Sequence, residues 1–368
     1  MHPARAQQAP VQPEQPRLEA HVRTLASPAF EGRRGAGARK AEAYIVHALR
    51  ELGLEPLFDG GQFTQDIPGR EPNTAVGRNV GAKLVGSDPG LRDEVILLSA
   101  HYDHLGVRGG VLYPGADDNA SGVAMLLEVA RAIVESGAKP RRTIQFVAFD
   151  LEENGLWGSR HFVKSPPVPL DRIRLFLTAD LIAGALGGVC KDELFVMGSE
   201  HAPGVRPWID AAAKGQPVKL AVVGADLLGV DRSDYGPFRA RQVPFLFFST
   251  GENPRYHTPQ DTPDSLDYPK LTAASRIIAG VVRAAADADA VPGWTTEPDH
   301  PFAEAVAIRD VLRTLREHRD ALKLQGLGLN VVQNTLTRLD AIVARGAITP
   351  EERTWMLRAA QVVLFSVL

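Results

Sequence analysis

The run Glu94-Val95-Ile96-Leu97-Leu98-Ser99-Ala100 is short, nearly all apolar and rich in branched side chains. A segment of that length without polar alternation reads as a strand buried on both faces, so the sheet that holds it must be covered on both sides. The chain leaves this strand through Ala100-His101-Tyr102-Asp103-His104-Leu105-Gly106, then Pro114-Gly115-Ala116-Asp117-Asp118-Asn119-Ala120-Ser121-Gly122. Two histidines and three acids therefore follow a strand's carboxyl end, where ligands gather in open α/β sheets. Imidazole and carboxylate together suit a divalent cation.

The same pattern recurs along the chain. Residues 79–85 and 95–100 read as consecutive strands around a charged turn. Residues 121–135 carry Val123, Leu126, Leu127, Val129, Ala130 and Ile133 on one helical face. Further strands are expected at 143–149, 175–181, 194–197, 219–223 and 244–249, with a long helix over 267–288. Upstream, helical signals cover 17–26 and 38–52, and Gly53 stands where a left-handed cap is wanted. The alternation predicts a three-layer αβα fold on a mostly parallel mixed central sheet. After Gly293-Trp294 only helical patterns remain, at 302–322 and 331–345 and in a last helix opening Thr349-Pro350-Glu351-Glu352. The expected organisation is a disordered segment at 1–16, an α/β domain at 17–294 and a helical C-terminal extension at 295–368.

Composition narrows the function classes. A formal charge of −3 over 368 residues supplies no field for nucleic acid or an anionic membrane. No apolar run reaches the ~18 residues of a spanning helix. A single cysteine, Cys190, excludes an internal disulfide and a cysteine-based zinc ribbon. The Pro/Gln/Ala-rich start contains Ala4-Arg5-Ala6, the small-x-small pattern left beside a secretory cleavage site, with no apolar stretch before it. The expectation is an exported protein, periplasmic or secreted, whose signal peptide is absent from this chain.

Three later stretches repeat the grammar of the first. Phe149-Asp150-Leu151-Glu152-Glu153-Asn154-Gly155-Leu156-Trp157-Gly158-Ser159 places adjacent carboxylates at a strand end. Leu177-Thr178-Ala179-Asp180-Leu181 places one aspartate there, and Tyr256-His257-Thr258-Pro259-Gln260-Asp261-Thr262 puts a histidine in a proline-containing loop. Each alone has an ordinary explanation: a solvated helix start, an N-cap, a surface histidine. Together they converge, because strand carboxyl ends of one sheet meet in one crevice.

Taken jointly, these motifs resemble the M28 family of di-zinc aminopeptidases over roughly residues 17–290. The resemblance implies two Zn²⁺ ions, one held by His101 and Asp180, the other by Glu153 and His257, with Asp117 bridging both. It implies that Asp118 follows Asp117 through a cis peptide bond and that Asp103 accepts a hydrogen bond from the far nitrogen of His101. Glu152 is then the general base, and Tyr256 the candidate donor to the tetrahedral oxyanion. His104 matches no ligand position. The family's Ser-Asp-His stands here as Ser233-Asp234-Tyr235, a departure at the rim of the substrate pocket.

The implied activity is an exopeptidase that removes N-terminal residues from peptides with a free N-terminus, through a hydroxide held between two zinc ions. The same fold also hosts carboxypeptidases, for which Arg232 and Arg255 would have to meet a substrate carboxylate, and a one-zinc glutaminyl cyclase. A non-catalytic binding module is the reading from a different class, and would be expected to lack ligands or the base. Val331, Val332, Leu336, Leu339, Ile342 and Val343 are more apolar than a free helix tolerates. They are expected to pack on the catalytic domain, at the pocket rim, or across a homodimer.

Overall fold

The computed structural model describes residues 11–69, 71, 74–137 and 139–367. Residues 1–10 of the expected disordered segment lie outside these. Residues 11–16 are held in place, which corrects the expected boundary. Arg131 donates to the carbonyl of Gln12 at 3.0 Å, Arg276 to that of Pro13 at 3.1 Å, and helix α1 (Gln15–Leu25) begins within the segment. Much of this attachment is through main-chain carbonyls, which leave no periodicity in the sequence.

Helix α2 (Ala36–Glu51) leads to three strands, β1 (Glu55–Pro56), β2 (Thr64–Pro68) and β3 (Ala75–Leu84). Strand β4 (Val95–His101) is buried at every residue. A small hairpin follows, β5 (Gly106–Arg108) and β6 (Val111–Tyr113), then α3 (Gly122–Glu135), β7 (Thr143–Phe149), α4 (Trp157–Lys164) and β8 (Ile173–Ala179). The domain continues with β9 (Glu193–Met197), α5 (Arg206–Ala213), β10 (Lys219–Val222), α6 (Tyr235–Arg239), β11 (Phe245–Ser249) and α7 (Tyr268–Asp287). Three helices close the chain: α8 (Ala303–Glu317), α9 (Gly326–Arg345) and α10 (Pro350–Val367).

The main sheet has nine strands in the order β1-β3-β7-β4-β8-β11-β9-β10, with β2 also on β3. Its middle, β7-β4-β8-β11, is parallel throughout. The flanks are mixed, since β3 runs antiparallel to β7 and β9 antiparallel to β11. The parallel run brings the ends of β4, β7, β8 and β11 to one edge. His101 ends β4 opposite Phe149, and Ala179 pairs with Phe248 just before Asp180.

Alternate residues of each strand feed opposite cores. Ile96 and Leu98 of β4 join the core beneath α1, α2, α3 and α7, whereas Val95 and Leu97 join the other. That second core also contains Val332, Leu336, Leu339 and Ile342 of α9, so the apolar face of this helix finds its partner within the chain. Among the described residues no helix is long and apolar enough to cross a membrane.

Candidate metal centre

The ring of His101 is set by its own loop. Its Nδ1 lies 3.2 Å from the main-chain oxygen of Asp103 and 3.6 Å from that residue's carboxylate. This turns Nε2 toward the crevice, 3.4 Å from Asp118 Oδ1 and 3.3 Å from Asp180 Oδ1. On the opposite side His257 Nε2 lies 3.1 Å from Asp118 Oδ2 and 3.2 Å from Glu153 Oε2. One carboxylate, that of Asp118, thus offers an oxygen to each side.

This corrects the expectation for the adjacent acids. The carboxylate of Asp117 turns inward, where it accepts from the Ala183 amide at 2.8 Å and from Asn253 Nδ2 at 3.0 Å. The cis peptide bond likewise falls one residue later, at Asp118–Asn119. The reason is the turn Ala116–Ser121, whose two aspartates leave the backbone in different directions. Asp261 pins that turn by accepting from the amides of Asp117 and Asp118 at 2.9 and 3.0 Å.

A wholly buried guanidinium clamps the same loop. Arg33 donates to the carbonyls of Leu25, Tyr102, Pro114, Gly115 and Asp118, at 2.7 to 3.1 Å. Burial lowers its pKa to about 10, against the pull of Asp118 and Asp261. Gly115 is required here: its φ is +59°, and a Cβ would stand 2.2 Å from the Asp118 oxygen and 2.4 Å from the His104 ring.

The glutamate pair is organised by Asp103, whose carboxylate accepts from the amides of Glu152 and Glu153 at 3.0 and 3.2 Å. Leu151, Leu181 and His257 have φ of 59°, 56° and 56°. Each is a cluster residue or borders one, and such left-handed non-glycine backbone gathers where function over-determines it. His104, set aside by its spacing, comes into the cluster: its Nδ1 is 2.9 Å from Glu153 Oε1 and 3.6 Å from Asp118 Oδ2. Sequence position alone hid it, since the motif offers no slot for a third imidazole.

The electrostatics follow from this crowding of buried acids and imidazoles. Burial opposes charge on His101 and His257, yet the carboxylates around them raise both, His257 to about 10. Burial pushes Glu152 well up, with Asp180 and Asp234 adding to it and His101 opposing. Asp118 is also raised, chiefly by burial. The buried atoms His101 Nε2, Asp118 Oδ2 and Asp180 Oδ1 converge without a hydrogen bond. Two overlapping sets, His101–Asp118–Asp180 and His104–Asp118–Glu153, each bring their ligand atoms within 4.8 Å of one another. Buried oxygens and imidazole nitrogens without proton partners are the donor set that zinc takes, so the residues fit that ion.

Beside the cluster opens a cavity of about 360 Å³ lined by Asp180, Tyr256 and apolar side chains including Met197 and Phe247. The Tyr256 ring stacks on His257 at 3.8 Å, and burial raises its phenol so that the proton stays on. Tyr235 does not reach this rim. It is buried, stacked on Phe245 with ring centroids 5.2 Å apart, and its hydroxyl accepts from the Arg232 amide at 3.2 Å.

Comparison with known proteins shows the family and the fold. The sequence profile of Peptidase family M28 matches residues 79–282. Aminopeptidase YwaD of Bacillus subtilis (strain 168) is 26% identical over 196 residues, which is 51% of this chain and 40% of that protein. BSAP, a zinc aminopeptidase from Bacillus subtilis, superposes with a TM-score of 0.61 at 16% identity, covering 79% of this chain and 100% of that one. Porphyromonas gingivalis glutaminyl cyclase gives 0.58 at 22% identity, covering 74% and 98%. At such identities the two structures show a shared fold. The chain spans about half the length, or less, of the curated relatives it matches. The matched segment is more than half of the chain and holds every imidazole and carboxylate of the cluster, from His101 to Asp261; this chain belongs to peptidase family M28.

Proposed function

We propose that the protein is a metal-dependent aminopeptidase that releases N-terminal residues from peptides, with Glu152 as general base. The observation that carries this reading is the single carboxylate of Asp118 set between two histidine–carboxylate groups. His101, Asp118 and Asp180 would hold one zinc ion. Asp118, Glu153 and His257 would hold a second, with His104 steadying Glu153. Bound there, the ions would supply Lewis acidity, easing deprotonation of water and polarising the scissile carbonyl.

The chain's own residues do the remainder. Glu152, beside a ligand without being one, takes the proton from the attacking water and returns it to the departing amine. The Tyr256 phenol, protonated and lining the cavity next to Asp180, donates to the developing oxyanion. The apolar part of the cavity wall, Leu181, Leu186, Phe195, Met197 and Phe247, fits a large apolar side chain at the substrate's N-terminus.

The carboxypeptidase alternative finds less support. Arg232 lines the cavity but faces Glu252 at 3.5 Å, and Arg255 donates to the Ser265 carbonyl at 3.2 Å. Arg232 is thus already paired, and Arg255, although its Nε has no hydrogen-bond partner, does not line the cavity. The one-metal cyclase alternative would leave the second histidine–carboxylate group without a purpose.

The test compares leucine p-nitroanilide with N-blocked dipeptides that carry a free C-terminus, using wild type and Glu152→Gln. Wild type should cleave the anilide, and the variant should keep its metal while losing turnover by ~10²–10⁴. Cleavage of the blocked dipeptides alone would sink the aminopeptidase reading. Near-normal turnover of the variant would remove Glu152 as the base.

A further inference from the structure

We propose that the C-terminal helix α10 sets the size of the side chain the substrate pocket admits, with Leu364 as the adjustable part of its wall. This rests on the aminopeptidase reading above and deepens it. The 360 Å³ cavity that contains Asp180 and Tyr256 is lined also by Gln361 and Leu364 of α10. A second cavity, about 40 Å³ and wholly apolar, lies between α8 and α10. Leu186, Phe195, Leu227 and Leu364 line both cavities, so these side chains are the partition between them. The first three come from the α/β domain; Leu364 is the member delivered by the C-terminal helix.

The helix is fixed against the pocket rather than draped over it. Arg353 donates to both carboxylate oxygens of Asp226, at 2.9 and 2.8 Å, and to Glu304 of α8 at 2.6 Å. One helical stretch further on, Gln361 Nε2 donates to the Asp226 carbonyl at 3.1 Å. Asp226 sits on the turn Ala225–Leu228, whose Leu227 and Leu228 line the pocket. The anchor of α10 and the pocket wall are thus the same turn. Shortening Leu364 joins the two cavities into a deeper pocket; enlarging it fills the pocket from the far wall.

The experiment uses the full chain with Leu364→Ala, Leu364→Trp and, on the exposed face of α10, Arg358→Ala. The kcat/KM values for alanine, leucine and phenylalanine p-nitroanilides are compared, with thermal melting to certify folding. Leu364→Trp should lower leucine and phenylalanine relative to alanine by about 10-fold or more, in the range that pocket methylenes discriminate. Leu364→Ala should raise phenylalanine relative to leucine several-fold, and Arg358→Ala should leave the ratios unchanged. Unchanged ratios in folded Leu364→Ala overturn the proposal, whether or not the tryptophan variant folds. Activity on none of these anilides in wild type would instead defeat the aminopeptidase reading. In that case a crystal structure of Leu364→Ala decides the partition by itself: one continuous cavity supports it, two separate ones overturn it.

Discussion

Among the described residues, histidine and carboxylate atoms come close enough to hold a cation in two regions: the crevice around Asp118, and the group Asp226, His300 and Glu304 under α10. By residue type they are alike. In the second, the Arg353 guanidinium already lies between the acids, with hydrogen bonds of 2.6 to 3.0 Å to Asp226 and Glu304. In the first, Arg33 gives its hydrogens to main-chain carbonyls, and the atoms facing the crevice from Asp118 and Asp180 have no such partner. Buried acids require a countercharge: a guanidinium meets them in the second cluster, whereas in the first only the imidazoles of His101 and His257 face them. What separates the candidate metal centre from the structural ion cluster is therefore where the guanidinium goes, not the inventory of ligands.

Chelation puts the contrast under the greatest strain. Dialysis against EDTA should abolish peptidase activity, and zinc should restore it and raise the melting temperature, since a ligand bound only to the folded state stabilises it. Metal analysis of Asp226→Asn should give the same zinc content as wild type; a loss would make the second cluster a metal site after all. A smaller and more local effect separates the two adjacent aspartates. Asp118→Asn should lose zinc and at least 10²-fold of activity, by analogy with the loss of a positioned catalytic group. Asp117→Asn should keep zinc and lose about 1–3 kcal/mol of stability through its buried hydrogen bonds. The reverse outcome would return the bridge to Asp117. Least in activity but plain in urea titration, Arg353→Met should cost about 3 kcal/mol by leaving Glu304 buried without its partner. Zinc content there should not move, and a drop would couple the two clusters.

Much of the fold could be read from the residues. The strands β4, β7 and β8 announce themselves as branched apolar runs, and α3 and α7 as broad helical faces. Among the elements that escaped, β1 has two residues and β5 and β6 three each, too few for any periodicity to register, and the longer β2 and α5 escaped as well. In the crevice, His101, Glu153, Asp180 and His257 are legible through the motifs' resemblance to the family, and in the structure their side chains face one another. Asp117 and Asp118 could not be told apart, since which one faces the crevice depends on the turn at Ala116–Ser121 and on Asp261, far along the chain. Arg33 was unreadable for a related reason: its partners are carbonyl oxygens, which every residue has. The apolar stripe on α9 signalled that it must be covered, but a pattern of leucines carries no address for the surface that covers it.

The Arg33 clamp has a practical consequence for anyone cutting this chain. The segment shared with the family begins at residue 79, yet the side chain that ties the ligand-bearing loop to the strand end sits far upstream of that boundary. A fragment trimmed to the recognisable homology would keep every candidate ligand and discard the tether that aims them. Homology marks where sequences can be aligned; a fragment meant to keep the ligand-bearing loop tied to the strand end has to extend back at least to Arg33.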